Sequence, residues 1–290
     1  MRSMEELTAK AGAGCPLPEV ILRLDAQEQM VDVEKLRRAM RDRLVTLRET
    51  VEAALKGHWT PKIIKDDIGK FGEARHCPLS GPLVWRASEI AVALGTCNAS
   101  MGRIVAAPTA GSCGILPGLL FAWQEMRGGT DEQVLDGLIV AGGIGEIVSN
   151  RATLAGASGG CQAECGVAAA MGAAALCFME KGSPEACTHA VALTLKSILG
   201  LACDPVAGLV ESPCVKRNGS LVALGAVCAD MALAGIRSVI PPDEVVDAMG
   251  EVGRALPPSL RETARGGCAV TPTAKALTKA LLEGRSKAGC

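Results

Sequence analysis

LACDPVAGLVESPCVKRNG, residues 201 to 219, carries two cysteines on what reads as irregular chain between helices. Gly200 is a helix stop and Asp204-Pro205 cannot continue a helix, so Cys203 is expected on a turn. Pro213 precedes Cys214 and the polar run Lys216-Arg217-Asn218-Gly219 follows it, which predicts a second short non-helical segment there. Cations near both thiols favour the thiolate. Working upstream, Ser183, Pro184 and Glu185 form a helix start, so a helix is predicted from 184 to 199.

Further upstream stands LAGASGGCQAECGVAAAM, residues 154 to 171. Cys161 ends a glycine-rich loop and opens an Ala-rich helix predicted over 162 to 181, where free backbone N–H groups and the helix dipole favour an anion. If this helix and the next form an antiparallel hairpin, the start of the first lies beside the end of the second. Cys161 and Cys203 then meet, although they are far apart in the chain.

Composition supports a helical reading. Only 2% of the 290 residues are aromatic and none is Tyr, which removes much of what strands favour, whereas 34 glycines and many alanines let helices approach closely. The expected class is all-α: a single compact helical domain with small-residue-rich buried helices and an N-terminal amphipathic helix. That helix is marked by Leu36, Met40, Leu44, Leu47, Val51 and Leu55 within 31 to 56, and its charged face reads as solvated. A helix over about 18 to 30 precedes it. The domain reads as 1–290, with a helical arm over about 1–57, a core over about 83–275 and a tail at 283–290.

Other helices are expected over 84 to 99, 131 to 150 with Thr130 as N-cap, 220 to 237, 243 to 255 and 277 to 282. Between the first two of these, Pro108-Thr109-Ala110-Gly111-Ser112 is a small-residue turn, and Pro117-Gly118 reads as a second breaker pair. Residues 57 to 82 read as loop or short elements. The run GVAAAMGAAALCFM, 166 to 179, is shorter than a bilayer span and reads as a buried core helix.

A net charge of −1 with no basic stripe excludes nucleic acid as an expected partner. Thirteen cysteines without an N-terminal apolar leader point to a reducing, cytoplasmic setting with no membrane association. There most thiols are small core residues or metal ligands. Cys161 and Cys165, four apart, offer a zinc pair with no second pair to match, and the absence of a C-x-x-C set argues against an electron carrier of the ferredoxin type.

GGCQAECG, CDPVAGLVESPCVKRN and MGRIVAAPTAGSCGILPG together resemble the α chain of the iron–sulfur-dependent L-serine dehydratases, the two-chain bacterial kind. The likeness runs from about residue 98 to about 275 and includes RETARGGCAVTPT, 261 to 273. It implies a 4Fe-4S cluster on three cysteines with one iron left open for substrate. Carried over by motif, the ligands are Cys161, Cys203 and Cys214. It further implies L-serine as substrate, deaminated to pyruvate and ammonia by Lewis-acid dehydration, with a separate beta chain and an oligomeric assembly. Some relatives place a C-terminal cysteine on the open iron at rest, which makes Cys290 a candidate resting-state ligand; a disordered tail is the alternative.

On spacing alone the 108–112 turn suits a carboxylate-binding loop and a tight helix connection equally, and the resemblance favours the loop. Thr109, Ser112, Lys216, Arg217 and Asn218 are the candidate substrate-binding residues. Cys113 reads as packed. No base is nominated: His58 and His76 flank a segment where this chain has Lys65-Asp66-Asp67 and Lys70 in place of the family's Gly-Gly-Asp and following Lys, and His189 reads as a mid-helix core residue. The competing readings are the same chemistry on L-threonine or L-cysteine, and a non-enzymatic iron–sulfur redox or sensor protein.

Overall fold

The structure is a computed structural model and describes residues 1, 3–11, 14–74 and 78–284. Its helices in chain order are α1 (Met4–Ala11), α2 (Leu17–Gln29), α3 (Val33–Lys56), the short α4 (Gly69–Glu73), α5 (Gly81–Ala99), α6 (Ile115–Arg127) and α7 (Asp131–Arg151). There follow the one-turn α8 (Gly156–Gly159), α9 (Val167–Met179), α10 (Pro184–Lys196), α11 (Cys214–Leu233), α12 (Pro242–Ala255) and α13 (Pro272–Leu282). Among the described residues there is no strand, only an isolated parallel bridge between Cys203 and Arg261. The all-α expectation holds.

α9 is the axis of the fold, with α6, α7, α10 and α11 packed around it. Its residues from Val167 to Cys177 are buried on every side, so no polar stripe is needed and none is present. The segment 162–179 is long and apolar enough to cross a membrane by composition, yet 89% of it is buried inside the protein. Val167, Met171, Leu176 and Met179 each contribute about 1.5–3 kcal/mol by leaving water. Close approach does the rest: a Cβ on Gly225 of α11 would stand 2.9 Å from the Ala169 carbonyl oxygen of α9.

Around this axis, α5 pairs with α6 and α11, while α3 lies across α5 and α7, burying Leu44, Leu47, Val51 and Ala54. The caps read from the sequence form as expected. Thr130 Oγ1 accepts from the Gln133 N–H and Gln133 Oε1 accepts from the Thr130 N–H, a reciprocal cap. Ser183 Oγ accepts from the Ala186 N–H, and Pro184 takes the first helical position.

Three local expectations are corrected. Pro117-Gly118 does not break the chain, because it falls in the first turn of α6, where a missing N–H removes no intrahelical bond. Gly118 instead lets α6 press on α5, since a Cβ there would meet the Ala87 carbonyl at 2.6 Å. The Lys216–Gly219 run is helical, and α11 starts at Cys214 rather than near 220. Pro213 ends the preceding irregular chain, and Lys and Arg are good helix formers once Asn218 and Gly219 are packed against α5 and its following loop. α10 stops at Lys196, and Gly200, with φ +88°, closes the turns that follow. α1 had no prior signal, while α4 is one of the short elements expected within 57 to 82.

Candidate metal centre

The hairpin geometry brings Cys161 and Cys203 together. α9 and α10 pack antiparallel, the Gln162 N–H donates to the Leu201 carbonyl at 3.2 Å, and the Gly200 N–H donates to Gln162 Oε1 at 2.8 Å. Gln162 is fully buried, and its Nε2 also donates to the Gly159 carbonyl at 2.9 Å and the Met249 carbonyl at 3.1 Å. One carboxamide thus ties the loop before Cys161, the loop before Cys203 and α12 together.

Cys203 is held by a backbone clamp. Its N–H donates to the Leu260 carbonyl at 2.9 Å and its carbonyl accepts from the Glu262 N–H at 2.7 Å. Cys214 enters from a third direction, as the first residue of α11. Cys161, Cys203 and Cys214 are 2%, 4% and 8% exposed, and the charge of Cys161 acts on the other two thiols. Burial, then neighbouring negative charge, raises Cys203 far above the ordinary thiol value and Cys214 to about 12.

Cys161 behaves differently. Its partner Cys165 donates a hydrogen bond to it and, against the burial penalty, the Arg217 guanidinium adds to the lowering, to about 7. Cys165 rises correspondingly. The sequence expected helix N–H groups to serve Cys161, but those of Gln162 and Ala163 go to the Leu201 and Gly160 carbonyls. The cation is a side chain. Arg217 is itself fixed by the Ala202 carbonyl at 2.9 Å and by Asp204 at 3.2 Å, and Asp204 accepts from the Cys268 N–H at 2.7 Å.

Between these groups sits Glu164, unflagged by sequence. Its carboxylate, the Cys203 sulfur and the Glu262 carboxylate have ligand atoms all within 4.8 Å of one another, the Cys203 to Glu164 contact being 3.7 Å. Burial raises the Glu164 pKa, and a hydrogen bond from Thr109 opposes the rise. A Cβ at Gly156 would push the Glu164 carboxylate from its place and stand 3.2 Å from the Cys203 sulfur, so the glycine leaves room for both. The only signal for Glu164 was an acid set in an apolar run.

The remaining candidates divide. Thr109 and Ser112 lie on the 110–112 turn, where the Ser112 N–H donates to the Thr109 carbonyl at 3.3 Å and the Thr109 N–H to Ser112 Oγ at 3.3 Å; Thr109 borders Glu164. Ser112 is buried and also donates to the Ala107 carbonyl. Asn218 is buried and bound to backbone. Lys216 is exposed and pairs with Asp67 at 2.7 Å, so the Lys65–Lys70 segment packs beside the opening of α11. Buried Glu211, also missed, accepts from the Lys62, Ile63 and Ile64 N–H groups at 2.9, 2.7 and 3.1 Å. That carboxylate fixes the same segment two residues before Pro213.

Cys113 is buried as expected, His58 is exposed, and His189 Nδ1 accepts from the Ser238 N–H at 3.2 Å. His76 and Cys290 lie outside the described residues. The thiols fit an iron–sulfur group by chemistry: they are soft donors, drawn from three segments and charge-balanced by Arg217. Cys161 and Cys214 are not part of the tight set of ligand atoms around Cys203.

An all-helical chain that gathers thiols, carboxylates and a half-buried guanidinium at one place is of the class able to hold a metal. The model of the serine dehydratase alpha chain matches residues 12–269, so the chain belongs to that family. It is 53% identical over 206 residues to the probable L-serine dehydratase alpha chain of Bacillus subtilis, covering 71% of this chain and 69% of that one. It is 47% identical to the L-serine dehydratase alpha chain of Peptoniphilus asaccharolyticus, over 70% of each. The L-serine dehydratase of Streptomyces coelicolor is 41% identical over 62% of this chain but only 40% of its own length.

Proposed function

We propose that this chain is the catalytic half of an L-serine ammonia-lyase, releasing pyruvate and ammonia with a 4Fe-4S cluster on Cys161, Cys203 and Cys214. The observation that carries the reading is that buried Cys161, Cys203 and Cys214, from segments far apart in sequence, lie near enough for the charge of Cys161 to act on the other two, in a family whose relatives are named for serine. Bound there, the cluster would supply a Lewis acid for the substrate's β-hydroxyl.

The chain's own residues supply the rest. Arg217 offsets the negative charge of the thiolates, and burial of Cys161, Cys203 and Cys214 limits water at the centre. The Thr109 hydroxyl orients Glu164, leaving that carboxylate between the loop and Cys203 to meet the polar end of an amino acid. A separate beta chain completes the enzyme, consistent with relatives named as alpha chains and with a longer single-chain relative. Unpaired cysteines throughout the described chain suit a reducing cytoplasm.

The test is anaerobic reconstitution with ferrous iron and sulfide, with and without the beta chain, assayed for pyruvate from L-serine, L-threonine and L-cysteine. Cys161→Ser, Cys203→Ser and Cys214→Ser are each expected to lose most bound iron and at least about a hundredfold of activity, a barrier near 2.7 kcal/mol. Wild-type iron content in any one of them would remove that residue from the ligand set.

A further inference from the structure

Asn218 was expected to touch substrate, but both amide protons and one lone pair of its carboxamide are engaged inside the protein. The side chain is 1% exposed; Oδ1 accepts from the Gly114 N–H at 3.0 Å, and Nδ2 donates to the Gly111 carbonyl at 2.7 Å and to the Cys214 carbonyl at 2.9 Å. A buried amide with its strong positions filled is a structural joint. The joint connects the loop bearing Thr109 and Ser112 to the first turn of α11, which bears Cys214.

Other ties on that loop are weaker anchors to the centre. Thr109 and Ser112 bond each other, Ser112 Oγ returns to the Ala107 carbonyl, and Asn98 reaches the Ala110 carbonyl at 3.2 Å in an exposed position. Gly219, next to Asn218, lets α11 lie against α5, where a Cβ would stand 2.7 Å from Val92 Cγ2. The residue pair at 218–219 therefore sets both the helix contact and the loop position.

We propose that Asn218 is the positioning residue that couples the Thr109–Gly114 loop to Cys214, so that the surface facing the amino acid and a thiolate facing the metal move as one unit. The proposal rests on the lyase reading of the pocket. Thr109 touches Glu164, and Glu164 touches Cys203, so a displaced loop would misplace polar groups around substrate while all three cysteines remain. The signature is a defect in substrate handling with iron retained.

Asn218→Asp keeps the shape and the Gly114 acceptor but sets an oxygen against two carbonyl oxygens. In the full chain with its beta chain, the variant is expected to keep iron within twofold of wild type and lose at least tenfold in kcat/KM for L-serine, with most of the loss in KM. In the metal-free chain, amide hydrogen exchange over residues 111–114 and alkylation of Cys214 are expected to accelerate together, each at least fivefold. Asn218→Ser carries the same readouts if the aspartate variant does not fold. Unchanged kcat/KM, loss of iron in step with activity, or acceleration of only one of exchange and alkylation overturns the coupling. Absence of pyruvate from the wild-type pair would sink the lyase reading instead, and the metal-free measurements would still decide whether the loop and Cys214 are joined.

Discussion

Along α3, Arg37, Arg41 and Arg48 reach Asp136, Glu132 and Asp131 of α7 at 2.6 to 2.8 Å, whereas around the cysteines the short contacts of Gln162 and Asn218 go to backbone atoms, with one longer contact from Asn218 to the Cys165 sulfur at 3.9 Å. Both sets cross-link helices, but their settings differ. Arg41 and Glu132 are 47% and 57% exposed, so water and salt compete for them, while the two carboxamides are sealed from solvent. Short charged contacts at the surface contribute little, and neutral amides in the interior fix where loops lie. The pocket owes its shape to the second kind.

The comparison breaks most visibly at Gln162. Gln162→Leu leaves the Gly159 carbonyl without its side-chain donor, frees the Gly200 N–H and cuts the tie to the Met249 carbonyl of α12, so a loss of about 2 kcal/mol is expected in urea unfolding of the metal-free chain. A loss as small as that of a surface ion pair would show that water takes the amide's place. The effect at His189 is smaller and depends on pH. Burial first, then Arg237 and Lys196, lower its pKa below 6.5, with Glu185 opposing, and neutral Nδ1 is needed to accept from the Ser238 N–H. A depressed folded value means the unfolded chain binds the proton first, so this contribution is full above pH 6.5 and is lost as pH falls towards the folded value. His189→Asn should flatten that part of the stability profile, and an unchanged slope would assign it to other groups. Arg41→Ala should cost no more than about 0.5 kcal/mol and become silent at high salt; a larger, salt-independent loss would place the α3–α7 ladder with the buried set.

What sequence could reveal follows the same division. Amphipathic spacing marked α3, and local caps marked α7 and α10, because those signals are complete within a few residues. The hairpin argument also worked, since it needed only two helix ends and their order. α6 was hidden by Pro117-Gly118, whose meaning depends on position within a turn and on Ala87 across the contact. The first turn of α11 was hidden because Asn and Gly carry turn propensity that packing on α5 overrides. At the site, cysteines could be singled out by residue type and motif. Gln162, Glu164 and Glu211 could not, for their roles exist only through partners remote in the chain.

The Ala-rich helix at the centre has a further consequence. A segment with the composition of a bilayer span is kept from lipid and from other chains only by the helices wrapped about it. Loosening that wrapping would expose a sticky surface, so core variants of this protein should be lost to aggregation before they are lost to inactivity.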